Sequence, residues 1–328
     1  MTTTTTEPEA PTSAPGTPPK AVKRPGDLIF SGTALGSGLI ILVVLAAVAL
    51  FLIIQSLPAF KPDTTDNNIL RGQPFLEWVW PLVFGTLWAA LIALVIASPI
   101  ALGIALFISH YAPRRLASAI GYVIDLLAAV PSVVFGLWGA LTFGPMLVPI
   151  YRWLNENLGW IPLFAVPENA APSGSGKTIL TAGLVLAVMI LPIMTAICRE
   201  IFLQTPKLHE EAALALGATR WEMIRMAVLP FARSGMVSAA MLALGRALGE
   251  TMAVAMVLAP SSLVTFQLLS TVNPSTIPAT IALRFPEAHG DGTATLVAAG
   301  LILFLVTFGV NFLARWIVSR RAEFSGAN

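Results

Sequence analysis

The chain has 328 residues, of which 56% are hydrophobic and only 11% charged, and its mean hydropathy is +0.81. This composition excludes a water-soluble globular protein, whose charged fraction is typically about a quarter, and predicts a polytopic membrane protein. The net charge of +2 gives no indication of nucleic-acid binding, and the single cysteine, Cys198, excludes an internal disulfide.

The N-terminal segment differs in composition from the rest of the chain. Residues 1–24 are rich in Thr, Pro and Ala, and they have too little apolar surface to offset chain entropy, so a disordered cytoplasmic tail is predicted. The apolar run at residues 28–57 is about twice as long as the apolar core of a secretion signal, and no small-residue cleavage pattern follows it. We therefore predict a retained membrane-spanning helix.

Five further stretches reach the roughly 20 apolar residues that a helix needs to cross a bilayer. The domain at residues 25–321 would thus contain six spans, at residues 28–57, 80–108, 116–143, 179–197, 236–259 and 294–318. An even number of spans places both termini on the same side. Most Lys and Arg residues flank that side, so both termini, the C-terminal tail 322–328 and the loop 199–235 are predicted to be cytoplasmic.

Two outer loops, residues 145–178 and 260–293, are longer than simple turns. In the first, Tyr151–Trp160 is predicted to form a short helix at the membrane interface, with Trp160 as its anchor. Each loop either meets an external partner or fills a gap between helices, and the sequence leaves both alternatives open.

The first outer loop also contains SGSGKT, residues 173–178, which looks like a nucleotide phosphate loop. The pattern requires glycine at position 171, where the chain has Ala171, and no strand precedes the segment. We therefore expect a flexible loop that does not bind ATP.

A polar and basic segment, residues 210–230, lies between the fourth and fifth spans. Its first part is rich in Ala and Leu and begins with two glutamates, which favour a helix with negative charge at its N-terminus. Gly217 is predicted to end this helix, because glycine adopts the left-handed C-terminal cap without strain. A second helical period restarts at Trp221 and is expected to end at Pro230.

Three ionisable residues fall well inside predicted spans, away from their ends, where charge is costly and usually functional: Asp125, Arg246 and Glu250. Arg246 and Glu250 are four residues apart and would share one face of a helix, close enough to pair. Gly245 and Gly249 flank them with a spacing that allows another helix to approach closely. Either the two charges neutralise each other as a structural pair, or Arg246 faces a translocation path and binds an oxyanion.

The segment at 210–230 resembles the EAA loop of bacterial ABC importer permeases. The resemblance rests on Glu211, Ala212, Ala213, Gly217, Ala227, Leu229 and Pro230, although Ala227 stands where Ile is commonest. It implies an all-α integral membrane protein with the type I ABC importer permease fold. It also implies that the loop is a coupling helix seated in a separate ATP-hydrolysing subunit. The plainer alternative is an amphipathic helix between two spans.

Two longer segments, Ile108–Gly139 and Gly245–Val254, are similar to the PstC family of phosphate importer permeases. This resemblance implies a bacterial cell-membrane transport subunit without enzymatic activity, and a phosphate path at Arg246 and Glu250, to which we add Asp125. It implies a homologous PstA-like permease, a PstB-like ATPase dimer that binds ATP and Mg²⁺, and an extracytoplasmic PstS-like phosphate-binding protein. No cofactor is expected in this chain.

Two other functions stay open at this point. One is an ABC permease for another oxyanion, such as sulfate or molybdate. The other is an ion-coupled secondary transporter in which Asp125 and Glu250 relay protons, although no repeated pair of broken helices is apparent. The histidines at 110, 209 and 289 are scattered, so each is most simply a surface or interface residue.

Overall fold

A computed structural model describes residues 25–61, 67–166, 172–259 and 261–322, and all regular secondary structure in these ranges is helical. The predicted N-terminal tail and residues 323–328 lie outside them. The helices are α1 (Pro25–Ser56), α2 (Phe75–Leu106), α3 (Arg114–Ala128), α4 (Ser132–Trp138), α5 (Gly144–Leu158), α6 (Ile179–Leu203), α7 (Lys207–Ala215), α8 (Arg220–Met223), α9 (Leu229–Leu248), α10 (Met252–Val257), α11 (Ile277–Arg284) and α12 (Asp291–Ala322). Single π-helical turns occur at Phe107–Tyr111, Gly139–Phe143 and Ile224–Val228, and short 3₁₀ turns at Leu57–Phe60 and Phe285–Glu287.

The chain forms two compact units, which divide between Leu50 and Phe51. The described part of the first unit is a single helical stretch with apolar side chains along its length. The second unit contains the remaining helices and the hydrophobic core.

Six helices in the described residues are long and apolar enough to cross a membrane, which confirms the predicted number of spans. They are Ile29–Phe60, Phe75–Tyr111, Ser132–Leu158, Ile179–Leu203, Arg220–Leu248 and Asp291–Trp316. Four of them overlap the predicted spans closely, whereas the third and the fifth have different bounds.

The third span was predicted at 116–143, but the helix is interrupted before Pro131. Proline disfavours helical geometry in the residue before it, so α3 ends at Ala128 and α4 begins at Ser132. The span then runs to Leu158 and absorbs the segment predicted as a separate interface helix. Tyr151 in that segment is 1% exposed, and its hydroxyl lies 2.6 Å from Oγ1 of Thr181 on α6.

The fifth span was predicted at 236–259, but it extends from Arg220 to Leu248 and stops earlier than expected. Pro230 does not end the helix, because the π turn Ile224–Val228 precedes it and the Leu229 N–H donates to the Ile224 carbonyl. At the other end, α9 ends at Leu248, and Gly249–Thr251 form a short non-helical break before α10 begins at Met252.

Helix α6 is the central helix of the second unit and packs against α2 and α9. Alanines recur every four residues along one face of α2, and each of them is at most 1% exposed: Ala89, Ala93, Ala97, Ala101 and Ala105. Small side chains let two backbones approach closely, which is how helices associate in a membrane where there is no hydrophobic driving force between them.

The second outer loop folds back onto α2. Residues 273–276 are buried, and Oγ1 of Thr86 accepts the N–H of Ile277 at 2.9 Å. Gly85 leaves room for the loop, since a Cβ there would lie 2.8 Å from the carbonyl oxygen of Pro274. The sequence leaves two alternatives open for this loop, contact with an external partner or filling of a gap between helices. Residues 273–276 fill a gap between helices.

Gly85→Ala should lower stability by about 1–3 kcal/mol, because the added methyl group overlaps backbone oxygens that cannot rotate away. The measurement is the thermal unfolding of the purified protein in detergent. Gly103→Ala, in the same helix, is the matched control, since no described atom lies within 4 Å of a Cβ built there. Equal midpoints for the two variants would contradict the close contact at Gly85.

Candidate functional site

The first candidate site is the segment between α6 and α9. Helix α7 ends in a Schellman motif: Gly217 has φ +85°, its N–H donates to the Leu214 carbonyl at 3.0 Å, and the Ala218 N–H donates to the Ala213 carbonyl at 3.2 Å. The prediction that Gly217 ends the helix in a left-handed conformation is confirmed.

The N-terminus of α8 has a capping box, which we did not predict. Oγ1 of Thr219 accepts the N–H of Glu222, and the Glu222 carboxylate accepts the N–H of Thr219 at 2.8 Å. This capping box follows a Thr-x-x-Glu pattern that is readable in the sequence. The two caps together fix the bend between α7 and α8 at both of its ends.

An open groove of about 700 Å³ lies beside the bend. It is lined by His209, Ala212, Ala213, Leu216, Gly217, Ala218, Glu222, Met226, Ala227 and Phe231. Leu216 and Trp221 on this segment are 90% and 56% exposed, and no residue of α7 is buried. A contiguous apolar surface of this kind is typical of a protein interaction site.

Four of the residues that carry the EAA resemblance line this groove: Ala212, Ala213, Gly217 and Ala227. Glu211 and Pro230 are exposed and Leu229 is half-buried, but these three do not line it. The structure therefore brings together the two ends of the motif through Ala212, Ala213, Gly217 and Ala227.

The second candidate site contains Arg246, which is exposed near the end of α9. It lines an open groove of about 1060 Å³ between α6, α9 and α12, together with Ser238, Asn311 and Arg315. Neither arginine forms an ion pair within the described residues. The groove thus presents cationic and neutral polar groups, which suit an anion.

Glu250 does not pair with Arg246, contrary to the expectation from their spacing. Because α9 ends at Leu248, the two residues do not share a helical face. Glu250 is 8% exposed, and its Oε1 accepts the N–H of Ala253 at 3.1 Å, which caps α10. The reading of Arg246 and Glu250 as a structural ion pair is therefore wrong.

The flanking glycines and Asp125 also differ from expectation. No described atom lies within 4 Å of a Cβ built at Gly245, so this glycine does not mediate helix contact inside the chain. Asp125 is exposed on the amphipathic helix α3, which is outside the six spans. No hydrogen bond or ion pair in the described part of the chain joins Asp125 to Arg246 or to Glu250.

The SGSGKT segment serves as a helix start. Oγ1 of Thr178 accepts the N–H of Thr181 at 3.1 Å and caps α6. Thr178 is fully buried, whereas Lys177 is exposed. The hydroxyl that a phosphate loop directs at a metal ion is thus engaged in capping. The described residues also contain no cluster of three His, Cys, Asp or Glu side chains suited to a metal ion.

Six candidate membrane spans, with an exposed and capped bend before the fifth, are the architecture expected of a transport permease. Residues 98–323 match the family described as "Binding-protein-dependent transport system inner membrane component", and the chain belongs to this family. It is thus a multi-pass inner membrane protein of bacteria and a subunit of a transporter that works with other subunits.

The chain is similar to "Phosphate transport system permease protein PstC 2" of Mycobacterium tuberculosis, with 43% identity over 92% of this chain and 94% of the relative. It is 38% identical to the PstC protein of Mesorhizobium japonicum over 92% of both chains. A solved structure of a bacterial ABC transporter involved in alginate import has a TM-score of 0.57 and 18% identity, covering 90% of this chain and 96% of that one. The last comparison confirms the ABC importer permease fold.

Glu250→Gln should preserve stability and assembly, because an amide oxygen can accept the Ala253 N–H as the carboxylate does. Glu250→Ala removes the cap and should cost about 1 kcal/mol. Thermal unfolding of the purified complex is the measurement. An equal loss in both variants would mean that the negative charge, and not the hydrogen bond, holds this break.

Proposed function

We propose that this chain is the permease subunit of an ATP-driven phosphate importer and forms half of the translocation pathway. The observation that carries the proposal is the similarity to phosphate transport permeases over nearly the whole chain. It is supported by an anion-compatible groove at the position that the resemblance associates with phosphate passage.

Arg246 is the anion contact in this proposal. Its guanidinium has no acidic partner in the described structure and opens into the groove that Arg315 also lines. A planar fork of donors binds two oxygens of an oxyanion at once, which an ammonium group cannot do. Glu250 lies beyond the end of α9, where it shapes the break next to this contact.

The remaining half of the pathway comes from a homologous, PstA-like permease. The open groove and the uncovered Gly245 support this arrangement, since the anion site lies on a surface and is not enclosed by this chain. The second arginine of the groove, Arg315, belongs to the same surface.

We further propose that α7 is a coupling helix and that the 700 Å³ groove beside it receives a PstB-like ATPase dimer, which binds ATP and Mg²⁺. Both termini and this groove then lie in the cytoplasm, where ATP is. An extracytoplasmic, PstS-like phosphate-binding protein would deliver the anion on the opposite side. The chain itself performs no covalent chemistry.

Arg246→Gln should lower phosphate uptake by roughly ten- to a hundredfold with the complex still assembled, because a charge-assisted hydrogen bond contributes about 1.5–3 kcal/mol. Arg246→Lys should restore uptake poorly. The measurement is radiolabelled uptake into proteoliposomes that contain the whole complex.

Arg233→Gln is the matched control for this prediction, since Arg233 is also exposed on α9 but lies outside the groove. Uptake at the unmodified rate in Arg246→Gln would refute the anion contact. A complex that imports sulfate or molybdate in preference to phosphate would refute the substrate while leaving the site in place.

Gly217→Val should uncouple ATP hydrolysis from transport without disturbing insertion, because a β-branched residue at φ +85° costs about 1–2 kcal/mol and opens the Schellman motif. Gly217→Asn is the control, since Asn tolerates the left-handed region. ATPase activity and uptake are measured in the same reconstituted complex. Normal values of both in Gly217→Val would contradict the docking role of α7.

A further inference from the structure

His110 is a buried imidazole that neither proposed site uses. It lies in the π turn Phe107–Tyr111 at the end of α2, and its side chain is only 8% exposed. Its Nε2 atom is 3.6 Å from Oε1 of Glu210 on the coupling helix α7. The scattered histidine positions in the sequence gave no reason to expect this contact.

Hydrogen bonds hold the ring of His110 at the end of α2. Oγ of Ser109 donates to the Ala105 carbonyl oxygen at 2.8 Å and lies 3.3 Å from that of Leu106. The same Oγ is 2.7 Å from Nδ1 of His110, so the imidazole is linked to the last turn of α2 through this hydroxyl.

A ring that carries a proton on Nε2 directs this proton toward the Glu210 carboxylate, and the contact is an ion pair when Nδ1 is protonated as well. The carbonyl end of α2, where His110 lies, also favours a cation.

The π turn packs against α2, α3 and α6. The charged or titratable side chains on the turn and on α3, α6 and α7 are Tyr111, Arg114, Arg115, Tyr122, Asp125, Cys198, Arg199, Glu200, Lys207, His209, Glu210 and Glu211, and α2 carries Glu77. Of these, only Glu210 is within ion-pair distance of His110 in the described structure. The guanidinium of Arg199 lies against Gly121 of α3.

Helix α7 has few other attachments. None of its residues is buried, and only Glu210 and Ala213 are half-buried. Glu210, which contacts His110, is therefore one of the two least exposed residues of α7. Helix α2, at whose end His110 lies, packs along the central helix α6.

We propose that His110 is a positioning residue whose imidazole holds the Glu210 carboxylate and fixes the coupling helix against the end of α2. The contact transmits movement of α7 to a membrane span by a route other than the chain connection through α6. This inference rests on the proposed function, because α7 matters for transport only if an ATPase moves it.

The test replaces His110 in the assembled complex by Gln or by Asn, whose side-chain amides differ in length. The side-chain nitrogen of Gln reaches the position of Nε2, whereas that of Asn falls near Nδ1. His110→Asn should raise the ATP hydrolysed per phosphate transported by about threefold, and His110→Gln should stay near the unmodified ratio. His289→Asn is the matched control, because His289 is exposed before α12.

Hydrogen exchange of the α7 amides provides a readout that needs no transport. His110→Asn and Glu210→Ala should each speed exchange in Lys207–Ala215, and the double variant should be no faster than either single one. Additive effects, or exchange in His110→Asn equal to that of the unmodified complex, would overturn the proposal. If exchange in His110→Gln is as fast as in His110→Asn, the proposal is also overturned.

The outcomes also separate this proposal from the proposed function. If Gly217→Val uncouples the complex and His110→Asn does not, α7 is a coupling helix and His110 does not position it. If the exchange results hold but Gly217→Val stays coupled, the contact exists and the docking role of α7 is refuted.

Discussion

Backbone amides inside a membrane must find partners within the protein, and this requirement governs every interruption of the helices described here. Oγ1 of Thr86 accepts an amide of the loop that folds back onto α2. The Glu250 carboxylate accepts an amide where α9 gives way to α10. Before Pro230, which has no N–H to donate, the N–H of Leu229 reaches the Ile224 carbonyl through a π turn. Each break is thus stabilised by a specific acceptor, which makes it a fixed feature of the fold.

The close packing of α2 on α6 connects these breaks to the two proposed sites. The alanine face of α2 lets α6 lie deep in the unit, and α6 leads directly into the loop that contains α7. The other end of the same α2 helix places His110 beside Glu210. The packed pair of α2 and α6 therefore positions α7, which faces the proposed ATPase, and also the contact between His110 and Glu210.

The proposed anion site depends on a charge that has no ion-pair partner among the residues that the structure describes. A buried Arg246–Glu250 pair would have satisfied both groups and left little attraction for phosphate. The end of α9 separates the two, so that Glu250 satisfies a backbone amide and Arg246 opens into the groove. This division of roles explains how one short segment supports both a structural break and an unpaired cation.

The sequence by itself determined the number of spans, the left-handed glycine that ends α7 and the family, because apolar length, glycine geometry and a long motif are local properties of the chain. It did not determine the bounds of the third and fifth spans. There, Pro131, the π turn and the cap at Glu250 act through backbone hydrogen bonds that hydropathy does not record. The separation of Arg246 from Glu250, the exposure of Asp125 and the contact of His110 with Glu210 were decided only by the tertiary structure. Each depends on where a helix ends and on which distant element packs beside it, and spacing along the chain encodes neither.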